Sequence, residues 1–259
     1  MQMKILITGA NRGLGREIAM QLTQRNLKLS KPHDIHLTAR KSNLHQLDSF
    51  QENNFVTISA MDLGEKNPSE FEKSMVNFAS FDYVIHTASP YSKAKITEAT
   101  PEELKEILTC QYNETLLLTS LAQKLVKNGS LVATGAIIGG VVGPDTIRAN
   151  NTLYVGLSSL HKSYLRSLMS SLYQELPEKN IIHVNLGTFR DKDEYAQEII
   201  DGNALSTSYV AELLIDLAEK KQKLESFNLN IMTKNEELLI EPFKLVKADM
   251  NSQNNHFFR

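Results

Sequence analysis

Short runs of β-branched and aliphatic residues recur along the chain. Longer stretches separate them, in which apolar positions return every three or four residues. The runs KILIT (4–8), DIHLTA (34–39), FVTISA (55–60), DYVIHT (82–87), SLVAT (130–134), IIHVNL (181–186) and NLNIM (228–232) predict strands covered on both faces. Helical periods fall near 14–25, 42–52, 68–79, 101–127, 152–176 and 206–222. Thr100-Pro101-Glu102-Glu103 gives the fourth helix a defined start, with a capping hydroxyl, proline at the first position and acids in the first turn. Strands alternating with helices predict an α/β fold: a doubly wound parallel sheet of about seven strands with helices on both faces. No internal repeat or linker interrupts the pattern, so one domain over 1–259 is expected, with the polar, Asn-rich end at 250–259 as a frayed tail.

Composition narrows the partners. The chain is 41% hydrophobic and 22% charged, as in ordinary globular proteins. A formal net charge of −2 without a Lys/Arg run argues against nucleic acid and against an anionic membrane surface. Cys110 is the only cysteine, so no intrachain disulfide forms; its setting, ILTCQY, marks it as core filler. The chain opens almost directly into MKILIT, which does not resemble a signal peptide. No apolar stretch approaches the roughly 20 residues that span a bilayer. A soluble, cytoplasmic protein is expected.

The first strand runs into Thr8-Gly9-Ala10-Asn11-Arg12-Gly13-Leu14-Gly15, and a helix follows. Gly9 suits the tight turn, Gly13 lets backbone approach a pyrophosphate, and Gly15 lets the helix sit close to the strand. The helix N-terminus then offers free N–H groups to the phosphates. A nucleotide site is expected here, built by the loop that includes Asn11, Arg12 and Leu14.

The spacing TGxxxGxG resembles the short-chain dehydrogenase/reductase family, and the resemblance continues along nearly the whole chain. It implies a Rossmann-type domain and hydride transfer between a nicotinamide and a small carbonyl or alcohol, without a metal. Relatives specific for NAD carry an acid near the end of the second strand. Here Thr38-Ala39-Arg40 has none, and with Arg12 in the loop this favours NADP(H) over NAD(H). By the same resemblance Asp62 and Leu63 stand at the adenine. Ala88 keeps the small residue of the family's Asn-Ala-Ala-Gly turn, whereas His86 departs from it, either to touch cofactor or to hydrogen-bond locally. Gly187 falls beside the nicotinamide, and 188–205 corresponds to the substrate loop and short lid.

The family's Asn-Ser-Tyr-Lys tetrad is altered. Gln111 takes the place of the Asn, and Ala136 that of the Ser. In NTLYVGLSSLHKSYLRSL (151–168), Tyr154, Ser158 and Lys162 follow at four-residue steps. One register puts Lys162 on the family lysine with Ser158 in the tyrosine's place. Another puts Tyr154 on the tyrosine with Ser158 in place of the lysine. A third reading keeps all three on one face, with Tyr154 as a displaced acid. Two functions stay open: an NADP(H)-dependent oxidoreductase with atypical acid chemistry, or a catalytically impaired NADP(H)-binding protein acting as redox sensor or assembly subunit. Relatives often assemble through the two long helices, so a homo-dimer or homo-tetramer is expected.

Overall fold

The computed structural model describes residues 2–75, 80–90, 96–136, 157–186, 205–219, 228–234 and 237–242. Eight strands form one sheet: β1 (Lys4–Thr8), β2 (Asp34–Ala39), β3 (Val56–Ala60), β4 (Phe81–His86), β5 (Leu125–Ala136), β6 (Asn180–Leu186), β7 (Asn228–Lys234) and β8 (Glu237–Pro242). Their order is β3-β2-β1-β4-β5-β6-β7-β8. β1 to β7 pair in parallel, and β8 runs antiparallel along β7. The chain winds outward from β1 to β3 and then restarts at β4 on the other side of β1. That reversal leaves a crevice at the carboxyl ends of β1 and β4, where ligands of such sheets bind.

Five α-helices are described: α1 (Gly13–Asn26), α2 (Pro68–Met75), α3 (Pro101–Lys124), α4 (Leu157–Glu175) and α5 (Thr207–Glu219). Alternation along the strands divides the core. Ile5, Ile7, Ile35 and Ile85 pack with Ile18, Leu22, Val210 and Leu214 of α1 and α5. Leu6, Val84, Leu131 and Ala133 face Leu117, Leu121, Leu165 and Met169 of α3 and α4. The start of α3 carries the expected capping box. Thr100 Oγ1 accepts from Glu103 N, and the Glu103 carboxylate accepts from Thr100 N.

Two helical elements differ from the sequence pattern, and β8 was not among the expected strands. The region 42–52 is a 3-10 helix, Lys41–Phe50, rather than an α-helix. The expected helix 101–127 ends at Lys124, because Leu125 turns extended (φ −60°, ψ 140°) and pairs with Phe81. Apolar spacing continues through LAQKLV, so periodicity alone could not see this end. The tertiary contacts that fix it are remote in sequence. Lys179 Nζ, drawn into the interior, donates to the carbonyls of Leu125 and Val126. Asn128 then takes a left-handed φ of 59°, and the β4–β5 register shifts before Ser130 meets Tyr83.

Lys179→Met keeps the aliphatic stem but leaves two carbonyls without their donor. A loss of about 1–3 kcal/mol is expected, read as a lower midpoint in thermal or urea unfolding, with secondary structure unchanged by circular dichroism.

Candidate active site

At the crevice, backbone packing is very tight. Gly9 has φ +72°, and a Cβ there would stand 2.8 Å from Ala88 N. A Cβ on Gly15 would lie 2.3 Å from the Gly9 carbonyl oxygen and 2.5 Å from Thr87 Oγ1. These two glycines bring β1, the end of β4 and the start of α1 together. Gly13 is different: it has φ +53°, and a Cβ would meet nothing within 4 Å. It faces open space before α1, whose N-cap residue, the exposed Arg12, makes no side-chain cap and whose first turn holds no acid. An uncapped helix start behind an open glycine turn suits the phosphates of a dinucleotide. Asn11 Nδ2 donates to Gln46 Oε1 at 3.0 Å, tying the loop to the 3-10 helix, and Leu14 packs against the core.

On the β2–β3 side, Arg40 Nε lies 3.6 Å from Asp62 Oδ1, which also accepts from Gly64 N at 2.9 Å. Both side chains remain about half exposed. Leu63 is buried, and its carbonyl and that of Glu65 accept from Asn113 Nδ2 at 2.9 and 2.8 Å. Asn113 therefore supports the loop after β3 rather than the reaction centre. Ala88 sits at the Gly9 contact, with its N–H 3.5 Å from Thr8 Oγ1.

The opposite side of the crevice contains a polar cluster that the motif comparison did not anticipate. Glu114 on α3 is fully buried and accepts from His86 Nε2 at 2.9 Å. His86 Nδ1 is 2.7 Å from Thr8 Oγ1, which makes His86 a local hydrogen-bond partner at the β1–β4 junction. His161 on α4, also fully buried, places Nε2 3.2 Å from Glu114 Oε2, though not aligned for a linear hydrogen bond. Next to it, Lys162 Nζ donates to the Thr134 carbonyl at 3.2 Å, and Thr134 Oγ1 donates to the His86 carbonyl at 3.2 Å. Ser158 is buried one turn before Lys162.

Gln111 is half-buried on α3, and its carbonyl accepts from Thr115 Oγ1; it is Glu114, one turn on, that reaches the β4 end. The Thr134 hydroxyl donates to the His86 carbonyl. Tyr154, Gly187 and the 188–204 part of the substrate loop lie outside the described residues. The signals for Glu114 and His161 were present: a carboxylate inside the apolar run CQYNETLLL, and a histidine beside the lysine. Neither belongs to a motif, so only the fold pairs them.

Burial alone would push the Glu114 carboxyl up, but the contacts from His161 and His86 outweigh it and hold the group at about 2. Desolvation lowers the Lys162 ammonium to about 8, opposed by the Glu114 charge. Burial raises the Cys110 thiol to about 12, which leaves it protonated and inert. Among the described residues no group of His, Cys, Asp or Glu is arranged to hold a metal, and no helix is long and apolar enough to cross a membrane.

Glu114 titrates lower in the folded chain than its ordinary 4.5. Its stabilisation is therefore complete above that value and lost as pH falls toward about 2. Glu114→Gln is expected to cost about 3 kcal/mol near neutral pH. The difference from the unsubstituted protein should shrink below pH 4.5, as read by urea unfolding across the pH range.

The chain is 27% identical over 192 residues to a very-long-chain 3-oxoacyl-CoA reductase of Vanderwaltozyma polyspora, covering 68% of this chain and 52% of that protein. It is 26% identical over 167 residues to a 3-oxoacyl-(acyl-carrier-protein) reductase of Buchnera aphidicola, covering 61% and 64%. The chain thus spans about half to two thirds of the length of the curated relatives it matches. A short chain dehydrogenase from Burkholderia cenocepacia, solved in complex with NADP, superposes with a TM-score of 0.67 at 16% identity. That match covers 88% of this chain and 94% of the other. The short chain dehydrogenase profile matches residues 3–188, from β1 through the glycine turn and Lys162 to the end of β6, and the chain belongs to that family.

Proposed function

We propose that the chain is an NADP(H)-dependent oxidoreductase, soluble and cytoplasmic, that moves a hydride between nicotinamide and a small-molecule carbonyl or alcohol. The observation that carries this reading is the open cradle at Gly13 before an uncapped α1. Arg40 at the end of β2, with no acid on that strand end, supports the 2′-phosphate form, as does the NADP complex of the Burkholderia relative. In this reading Gly9, Gly13 and Gly15 shape the pyrophosphate turn, with Asn11, Arg12 and Leu14. Asp62, Leu63 and Ala88 border the adenosine side, and Gly187 the nicotinamide. The nicotinamide supplies or accepts the hydride. Lys162 holds the ribose hydroxyls, Gln111 helps place a water, and Tyr154 or Ser158 handles the proton at the substrate oxygen.

A second reading keeps the nucleotide and loses the turnover. It is favoured by the family serine and tyrosine falling on Ala136 and Ser158 in the register that retains Lys162. In it the protein is a redox sensor or an assembly subunit. An aliphatic hydroxyl is far less acidic than a phenol with pKa near 10, so Ser158 alone is a weak acid for the task.

Calorimetry is expected to show one NADPH per chain, bound more tightly than NADH. Arg40→Ala should weaken NADPH by about 10- to 100-fold while leaving NADH nearly unchanged. Turnover is expected with one or more of small ketones, aldehydes, quinones and 3-oxoacyl thioesters, the last included because both curated relatives are named for such substrates. Tyr154→Phe and Ser158→Ala then identify the proton donor by a loss of about 10²–10⁴. Intact binding with no turnover on any of them selects the second reading.

We further propose a homo-dimer or homo-tetramer built on the long helices. Leu104, Leu108 and Tyr112 form an exposed apolar stripe along α3, and Leu160 is exposed on α4. Sedimentation is expected to show an oligomer at micromolar concentration, and Leu108→Glu to shift it toward monomer.

A further inference from the structure

The 3-10 helix Lys41–Phe50 runs for ten residues, whereas such helices seldom exceed about four. Its sequence explains the form. Three residues per turn put Leu44, Leu47 and Phe50 on one side. Leu47 and Phe50 are buried in the core that includes Ile35 of β2 and Ile18 of α1, and Leu44 packs against it. An α-helical turn would rotate Phe50 about 120° away from Leu44. The helix starts directly after Arg40, whose carbonyl accepts from Asn43 N at 2.8 Å.

Gln46 is exposed beside this anchored stripe and holds the glycine turn in two ways. Its Oε1 accepts from Asn11 Nδ2 at 3.0 Å, and its carbonyl accepts from Arg16 Nη1 at 2.5 Å. The Arg16 guanidinium also lies over the Phe50 ring, 5.6 Å from its centroid. Arg16 stands in the first turn of α1, where a cation opposes the helix dipole, and these contacts offset that cost. At Ala10 the turn meets β2 through backbone, with Ala10 N donating to the Thr38 carbonyl at 3.0 Å. The brace at Gln46 extends this attachment to Asn11 and Arg16, which flank Arg12 and Gly13.

We propose that Gln46 is a positioning residue for NADP(H): by bracing the glycine turn against the 3-10 helix, it fixes the spacing between Arg12 and Arg40 and so the preference for the 2′-phosphate. This rests on the NADP(H) reading above. Gln46 acts through Asn11 and Arg16 rather than on the nucleotide. The two exposed arginines lie on opposite sides of the brace: Arg12 in the turn, and Arg40 on the strand end that leads into the 3-10 helix. The pyrophosphate is common to NADPH and NADH, so a looser turn weakens both somewhat. The 2′-phosphate calls on both arginines at once, and its share of the affinity depends on their being placed in advance.

Two variants at this exposed position test it. Gln46→Met keeps the length of the side chain and removes the oxygen that Asn11 uses, whereas Gln46→Glu keeps an acceptor there. By calorimetry Gln46→Met is expected to weaken NADPH by about 10-fold and NADH by no more than about 3-fold. Equal losses for the two nucleotides, as general loosening would give, overturn the proposal, and so does no loss. Asn11→Ala and the double variant Asn11→Ala/Gln46→Met should bind NADPH within about 2-fold of each other, and additive losses overturn it. In nucleotide-free protein the ¹⁵N order parameters of Arg12 and Gly13 should fall from about 0.85 toward about 0.6 in Gln46→Met and recover in Gln46→Glu. Unchanged order parameters overturn the proposal whatever the nucleotide does. If the unsubstituted protein binds neither nucleotide, the functional reading falls, while the order parameters still decide whether Gln46 holds the turn.

Discussion

The contact between the turn after β1 and the end of β4 is the constraint on which the rest depends. Neither Gly9 nor Gly15 leaves room for a methyl group, and the atoms in the way are mostly backbone. Backbone cannot swing aside as a side-chain tip can, so the spacing of these elements is set by covalent geometry and van der Waals contact. From that spacing follow the position of the α1 N-terminus and the open space at Gly13. The reach of Thr8 to His86 across the same junction also follows.

Most polar groups near this junction are hydrogen-bonded, with Glu114 Oε2 and the His161 ring nitrogens left without a hydrogen bond among the described residues. Thr8, His86, Thr134 and Glu114 are all buried, and each is held by a partner on another element. Such a network stabilises only when it is nearly complete, because an unmatched buried donor or acceptor costs more than the bond contributes. It also selects conformation. A shift of α4 by one turn would withdraw Lys162 from Thr134 and His161 from Glu114 together, since the two are neighbours in the chain.

The fold was legible because its signals are local. Seven strand runs, the capping box at Thr100 and the glycine turn each involve residues close in sequence, and their chemistry reads without tertiary context. β8 was not read: ELLIEP is short and bounded by acids, and only its antiparallel pairing with β7 makes it a strand. The end of α3 was missed for a related reason, since a lysine 54 residues away in sequence takes up the carbonyls where the helix stops. On the nucleotide side the expected residues Gly9, Gly13 and Gly15 share one local motif, so their closeness needs no tertiary context. On the Lys162 side Glu114 and His161 lie 47 residues apart on two helices, whose packing brings them together.

α3 passes into β5 without a loop, Leu125 being both its cap and the first strand residue. No residue lies between helix and strand here, and Lys179 holds the carbonyls of Leu125 and Val126. The rotation of α3 that sets where Glu114 points is thereby geared to the travel of β5, which carries Thr134. A disturbance at the Lys124 end of α3 therefore passes straight into the start of β5 and the Lys179 contacts there, with no loop between them to absorb it.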